Sequence, residues 1–396
     1  MRMKVLQINC VYNFGSTGKI VYDIHTALKN KGIESVVCYG RGATVKEENV
    51  YKVSTELGGK IHSVFSRLFG VDFGFSPLAT AKTIRIIKKE QPDVVHLHCL
   101  NGHFINVYKL VEFLKNSGIK TVLTLHAEIM HTAGCEHAMD CEKWKTGCYD
   151  CPKIRGHISR FFRDDAKYCF NKMKKAFEGF KDLTVVGVSE WLTDRAKKSP
   201  IFKDCHFTTV HNGVDITVFK YTESNIRERL GIGEDEKVIL HVTPDFNHPI
   251  KGGKYVLELI NKMSDYRFII VGKGTENIEF PSNVITISFT KNKTELAELY
   301  SAADVTLLTS SRETFSMVAA ESLCCGTKIV GFKAGGPESI FKKNAEFCEH
   351  GDISELETIL RKTAFGIFNK IETSRENCEN YGKLSMVNGY FGLFGG

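Results

Sequence analysis

Residues Asp304 to Ile340, DVTLLTSSRETFSMVAAESLCCGTKIVGFKAGGPESI, leave this chain few ways to fold. A continuous apolar run, Val305 to Leu308, ends in the small polar residues Thr309 to Ser311. Such a run reads as a strand buried on both faces, as in a parallel sheet. Helical spacing then governs Phe315 to Cys325, Gly326 stops the helix, and Lys328 to Phe332 restores the strand pattern before a tight turn at Gly335, Gly336 and Pro337. In an open parallel sheet, ligands sit outside the carboxyl ends of the strands. Glu313 is therefore expected to line a cleft. Beside it, the amides near Phe315 and Ser316 form a helix N-terminus suited to phosphate. Glu321 lies about two turns into that helix, on the side of Glu313, so both carboxylates can meet one ligand.

The same alternation runs through the chain. A first series has strands at Lys4–Cys10, Ser35–Arg41, Asp93–Cys99, Lys120–His126 and Leu183–Ser189. Its helices fall at Thr17–Lys31, Thr80–Glu90 and Phe104–Asn116, and Ser189 caps another. The turn HNGVD ends this series, and a linker runs to about Thr222. A second series begins at Lys237 with strands VILHVT, RFIIVG, VITIS, DVTLLTS and TKIVGF. Two βα series predict two doubly wound α/β domains, residues 1–213 and 214–375. The tail, 376–396, reads as one amphipathic helix from Glu376 to Phe394.

With 396 residues, each domain can hold its own core. A net charge of +7 is too mild to demand nucleic acid, though it allows contact with anionic membranes or phosphate ligands. The start, MRMKVLQINC, is too short and strand-like for a signal peptide, and no apolar run is long enough to span a bilayer. Thirteen cysteines without a secretion signal point to reduced thiols and a cytoplasmic chain.

Several segments invite chemistry. Gly15 and Gly18 flank the first strand-to-helix turn, but the spacing fits neither a P-loop nor a full G-x-G-x-x-G, and Ile20 stands where a P-loop needs Ser or Thr. Packing alone would account for it. Lys251, before two glycines at a helix start, suits a diphosphate, and Gly272 marks a second turn. His96 and His98 share one strand face, which reads as hydrogen-bonded histidines at a strand end. Val64 to Phe75 is aromatic, mildly basic and too broken by glycine for a regular helix; it reads equally as core or as an exposed rim for a lipid-linked acceptor or a membrane surface. A basic face follows over Lys153 to Lys181. Cys135, Cys141, Cys148 and Cys151 crowd a turn-rich loop whose apolar residues, chiefly Met139 and Trp144, are too few to order it by packing. Structural zinc on the four thiolates leads there, ahead of unligated thiols and redox chemistry.

The spacing Glu313-x7-Glu321, the core Glu313-Thr314-Phe315-Ser316-Met317 and the GGPE turn resemble the signature of retaining glycosyltransferase family 4. KWKTGC followed by a CP pair resembles a bacterial polysaccharide-biosynthesis subset of it. The resemblance implies the GT-B fold, two facing Rossmann-like domains with a final helix crossing back onto the first. It implies transfer of a hexose from a nucleotide-diphosphate sugar to a saccharide or lipid-linked saccharide, without a catalytic metal. Glu313 would then hold sugar hydroxyls, Glu321 the ribose, and His126 would face the donor sugar. Lys251 and the amides at Phe315 would meet the diphosphate, with Gly15, Gly18 and Gly272 at phosphate or nucleotide turns. The arginine expected before Lys251 is Ile250 here, which leaves Asn247 or His248 as substitutes. Rival readings are a nucleotide-sugar epimerase and, from another class, a zinc-dependent nucleic-acid-binding protein.

Overall fold

The computed structural model describes residues 3–151, 165–288 and 292–395, which form two compact units. The first takes Met1–Val210 and recovers Gly389–Gly396 at the end of the chain. Its seven strands are β1 (Lys4–Asn9), β2 (Glu34–Tyr39), β3 (Val50–Lys52), β4 (Val94–Leu97), β5 (Lys120–Leu125), β6 (Leu183–Gly187) and β7 (His206–Thr209). All pair in parallel, in the order β3-β2-β1-β4-β5-β6-β7. The strands are almost wholly buried because helices cover both faces, which is why they read as apolar runs without alternation. Those helices are α1 (Gly15–Asn30), α2 (Glu56–Phe69), α3 (Pro77–Glu90), α4 (Val107–Ser117), α5 (Ile129–Thr132), α6 (Ala166–Phe177) and α7 (Glu190–Lys197).

The second unit, His211–Asn388, repeats the plan. Helix α8 (Ile226–Arg229) leads into β8 (Val238–Asp245), α9 (Gly253–Lys262), β9 (Arg267–Lys273), β10 (Val284–Ile287), α10 (Lys293–Ala302), β11 (Val305–Leu308), α11 (Met317–Cys324), β12 (Lys328–Phe332), α12 (Gly336–Ile340), β13 (Ala345–Cys348), α13 (Ile353–Phe365) and α14 (Lys370–Tyr381). Its parallel sheet runs β10-β9-β8-β11-β12-β13, the doubly wound order. The last helix, α15 (Lys383–Phe394), begins in the second unit and ends in the first.

Three expectations need correction. Residues 64–75 do not avoid a regular helix: the first half, to Phe69, lies in α2, which Thr55 caps at its start and Gly70, at φ 68°, ends. The chain-breaking glycines thus fall at or beyond its C-terminus. The tail is two helices rather than one. Val214 donates to the Tyr381 carbonyl (2.7 Å) and accepts from Lys383 (2.9 Å), so Gly382 must be extended for this bridge and cannot continue α14. Short strands β3, β7 and β13 were not legible, since three or four residues carry no period of their own. Of the basic segment, Lys153, Arg155, Arg160 and Arg163 lie outside the described residues, while α6 buries Cys169, Phe170, Met173 and Phe177 and leaves Lys167 and Lys175 exposed.

Packing also orders the cysteine loop more than its composition promises. Trp144 is fully buried, and its indole donates to the Cys141 carbonyl at 2.8 Å. Arg195 of α7 lies 4.7 Å from that ring and donates to Glu128, which is buried, at 2.6 Å. The other Glu128 oxygen accepts from the Ala138 amide at 2.9 Å. Burial pushes this carboxyl up, but the His131 ring, the Arg195 charge and the Ala138 amide outweigh it and hold the carboxyl at about 2. A depressed carboxyl stabilises the fold above its unfolded value of 4.5 and loses that contribution as pH falls toward about 2. Replacing Arg195 with alanine strands Glu128 in the interior. The expected cost is about 3–5 kcal/mol, read by urea denaturation at neutral pH, with a flatter stability profile in acid than the wild type.

Candidate functional site

In the second unit the strand order runs outward in both directions from β8 and β11, and Lys251 and Glu313 follow these two strands. The turn after β8, Pro249–Lys251, is a single 3-10 turn capped by His248, whose ring accepts from the Ile250 amide at 3.3 Å. It is stitched to the end of β11: Thr309 donates its hydroxyl to the Lys251 carbonyl at 2.8 Å, and the Ser311 amide donates to Ile250 at 2.8 Å. Gly252 sits at φ 72°, and a Cβ there would fall 2.2 Å from the Thr309 carbonyl oxygen, so the close approach requires glycine. The result is an ion pair, Lys251 Nζ to Glu313 Oε1 at 2.6 Å, with both side chains partly exposed.

The GGPE turn holds Glu313 from the other side. The Glu313 amide donates to Ala334 (3.0 Å) and its carbonyl accepts from Gly336 (2.9 Å). A Cβ on Gly336 would stand 2.2 Å from the Thr314 oxygen. Glu338 accepts from the Ala334 and Gly335 amides, at 3.0 and 2.7 Å, and so fixes the turn itself. Helix α11 then starts at Met317, capped by the Ser316 hydroxyl accepting from Ala319 at 3.3 Å. Ser316 adopts φ 73°, an uncommon conformation for a residue with a Cβ. The Phe315 ring is buried against Phe341, leaving only its backbone for any ligand, while Thr314 and Met317 are half-buried.

Glu321 lies in α11 itself, about one turn from its start rather than the expected two, and has a different partner. The Tyr300 hydroxyl donates to it at 3.3 Å. Burial pushes its carboxyl up to about 7, against the pull of that hydroxyl and of the Lys293 charge. Gly272 follows β9's buried core at φ 150°, where a Cβ would lie 2.0 Å from the Thr243 carbonyl. Asn247 donates to the Gly274 carbonyl at 2.8 Å, so both proposed substitutes for the arginine, Asn247 and His248, already shape this loop.

The first unit has its own reversal of strand order, between β1 and β4. Asn9, at the end of β1, accepts from the Cys99 amide at 3.0 Å, and His98 donates its amide to Ile8 at 2.9 Å. Gly15 opens α1 at φ 64° in open space, whereas Gly18 is buried and a Cβ would touch Val11 at 3.0 Å. The carbonyl of Gly18 accepts from the Asn13 amide at 2.9 Å, which closes the turn. His126, just past β5, is half-buried with its Nε2 3.2 Å from His98 Nδ1. The spacing of His96 and His98 on one face was legible; the partnership of His98 with His126 was not, because it joins two strands. His96 instead bonds Thr124 at 2.8 Å, and Thr124 lies 3.0 Å from the Tyr390 hydroxyl of α15. Burial pushes all three rings down, His126 to about 4 and His96 to about 3, so near neutral pH they are uncharged. One nitrogen of the His98–His126 pair then donates and the other accepts.

Cys135, Cys141, Cys148 and Cys151 line a single small cavity of about 20 Å³, walled also by Trp144 and Lys143. Among the described residues, no group of three or more His, Cys, Asp or Glu side chains is placed to hold a metal ion. No described helix is long and apolar enough to cross a membrane.

Comparison with known proteins covers nearly the whole chain. The family described as Glycosyltransferase Family 4 matches residues 17–218, and Glycosyl transferases group 1 matches 222–383. The putative colanic acid biosynthesis glycosyl transferase WcaC of Escherichia coli K12 is 22% identical over 362 residues, 86% of each chain. The N-acetyl-alpha-D-glucosaminyl L-malate synthase of Bacillus anthracis is 24% identical over 370 residues, 89% of this chain and 85% of that one. Among solved structures, sucrose-phosphate synthase of Thermosynechococcus elongatus superposes with a TM-score of 0.71 at 15% identity, over 99% of this chain and 98% of that one. HepE of Anabaena, in complex with UDP and glucose, superposes with a TM-score of 0.63 at 16% identity, over 99% of each. The two parallel sheets and these neighbours are those of the GT-B fold. The chain belongs to glycosyltransferase family 4 and is a glycosyltransferase.

Proposed function

We propose that the chain transfers a hexose from a nucleoside-diphosphate sugar to a saccharide or lipid-linked saccharide, with retention at the anomeric carbon, in the assembly of a bacterial surface polysaccharide. The observation that carries the reading is the Lys251–Glu313 pair at the carboxyl ends of β8 and β11, where a doubly wound sheet receives its ligand. Cleavage of the bond from the anomeric carbon to the phosphate oxygen leaves its electron pair on the diphosphate. The acceptor oxygen takes that place on the same face of the sugar, and the proton of its hydroxyl leaves with the diphosphate. Lys251 and the amides at the start of α11 stabilise the growing negative charge. Glu313 accepts from sugar hydroxyls and orients Lys251. Glu321 accepts from the ribose diol, and the neutral His126 hydrogen-bonds the sugar. The UDP bound to the structural relative HepE and the polysaccharide role named for the E. coli relative support the donor and the pathway.

Lys251→Ala should lower kcat by about 10²-fold or more and weaken donor binding less; a loss confined to KM would make Lys251 an anchor. Glu321 adds a pH signature. Because ribose hydroxyls bond best to the ionised carboxylate, nucleoside-diphosphate affinity should fall as pH drops through about 7. Titration calorimetry should show that dependence in the wild type and its loss in Glu321→Gln.

The cysteine loop is assigned one structural zinc. The four cysteines line one cavity, which supports it, but no three of them are placed to hold an ion as the loop stands, so binding requires the loop to close around the metal. Four thiolates would leave no open position for catalysis. Elemental analysis of untagged protein should find about one zinc per chain, lost in Cys148→Ser/Cys151→Ser; metal-free, fully active wild type removes the assignment.

A further inference from the structure

Helix α2 is amphipathic the wrong way round for a helix that packs on a core. The residues it buries are Gly59, His62 and Ser66. The side chains it turns to solvent are Leu57, Ile61, Val64, Phe65, Leu68 and Phe69, with Leu57 67% and Phe69 56% exposed. At 3.6 residues per turn these six share one stripe. The inward face is specified by polar bonds rather than apolar packing. His62 bonds the Ser76 hydroxyl at 2.8 Å and the Asp72 carbonyl at 3.0 Å, and at Gly59 a Cβ would strike the Arg41 guanidinium at 2.4 Å. The orientation is therefore set from inside, and the apolar stripe is left outward by design of the sequence.

Beside the stripe, α2 and α3 enclose an open cavity of about 430 Å³. Ile61, Phe65, Phe75, Leu78, Ala79 and Val53 form its walls, and Leu78, at its mouth, is 86% exposed. Phe65, Phe69 and Phe75 pack with ring centres 5.6–6.2 Å apart, so the aromatic lip is pre-formed. Exposed cations accompany it: Lys60 and Arg67, one heptad apart, edge the stripe, Lys82 lines the cavity, and Arg85 and Lys89 follow along α3. Against these, residues 52–90 carry the acids Glu56, Asp72 and Glu90, of which Glu56 is paired with Arg41 and Glu90 with Lys4.

We propose that this face docks on an anionic lipid bilayer, with the stripe of α2 in the interface and a hydrocarbon chain entering the cavity. An apolar stripe rimmed by cations is the chemistry of an interfacial helix. A second copy of the chain would bring two basic rims together, which charge opposes. The proposal is independent of the donor chemistry above, since it uses none of the same side chains.

The test is cosedimentation of the full chain with vesicles of phosphatidylcholine, with and without phosphatidylglycerol. The wild type should pellet with the phosphatidylglycerol vesicles, and raising the salt should release it. Ile61→Ser/Phe65→Ser/Leu68→Ser should bind at least about tenfold more weakly, as should Lys60→Glu/Arg67→Glu. Both variants should keep the wild-type melting temperature and nucleoside-diphosphate affinity, which separates this outcome from a failed donor assignment. Wild type that stays in the supernatant with phosphatidylglycerol vesicles overturns the proposal. So does concentration-dependent self-association of the wild type that the serine variant abolishes, which would make the face a dimer contact.

Discussion

Everything in the second unit that looks chemical depends on one junction, where the turn after β8 is sewn to the end of β11. Thr309, Ser311 and Gly252 do the sewing through backbone and hydroxyl groups. A parallel sheet sends neighbouring strands out of the same edge, and a reversal of strand order there opens a gap that no helix fills. The two backbones at that gap approach so closely that a single methyl group would separate them. That approach brings the oppositely charged Lys251 and Glu313 to 2.6 Å of each other.

The first unit uses the same geometry with different chemistry. Its reversal between β1 and β4 is tied by Asn9 and the amides of His98 and Cys99. Where the second unit places a cation and a carboxylate, the first places neutral rings. Burial removes the charge from His96, His98 and His126, and leaves hydrogen-bonding groups with fixed directions. Such groups suit an uncharged, hydroxyl-rich ligand, and a lysine with a helix N-terminus suits a phosphate. The two strand-order reversals thus differ in charge: one holds an ion pair, the other neutral rings.

Two segments break the rule that apolar residues turn inward, and they do so differently. The loop of four cysteines has few apolar residues, yet Trp144 and the buried Glu128–Arg195 pair anchor it. Helix α2 has many, yet shows them to solvent because its polar face is the one with partners. In both, a few hydrogen bonds to specific atoms outweigh the count of apolar side chains. Composition misjudged each for that reason.

The sequence by itself determined the class of fold, the repetition of the βα unit, and the residues at the strand ends. Continuous apolar runs mark doubly covered strands, and glycines such as Gly252 and Gly336 sit where backbones must touch; both signals are local. It also carried the E-x7-E spacing on which the family resemblance rests. What it left open was every pairing across the sheet: Lys251 with Glu313, Glu321 with Tyr300, His98 with His126, Glu128 with Arg195. These partners lie 21 to 67 residues apart. Only the register of parallel strands and the packing of helices on them brings such residues together. For the same reason the tertiary structure alone decided which face of α2 points outward, and where the tail divides at Gly382 to let Val214 pair.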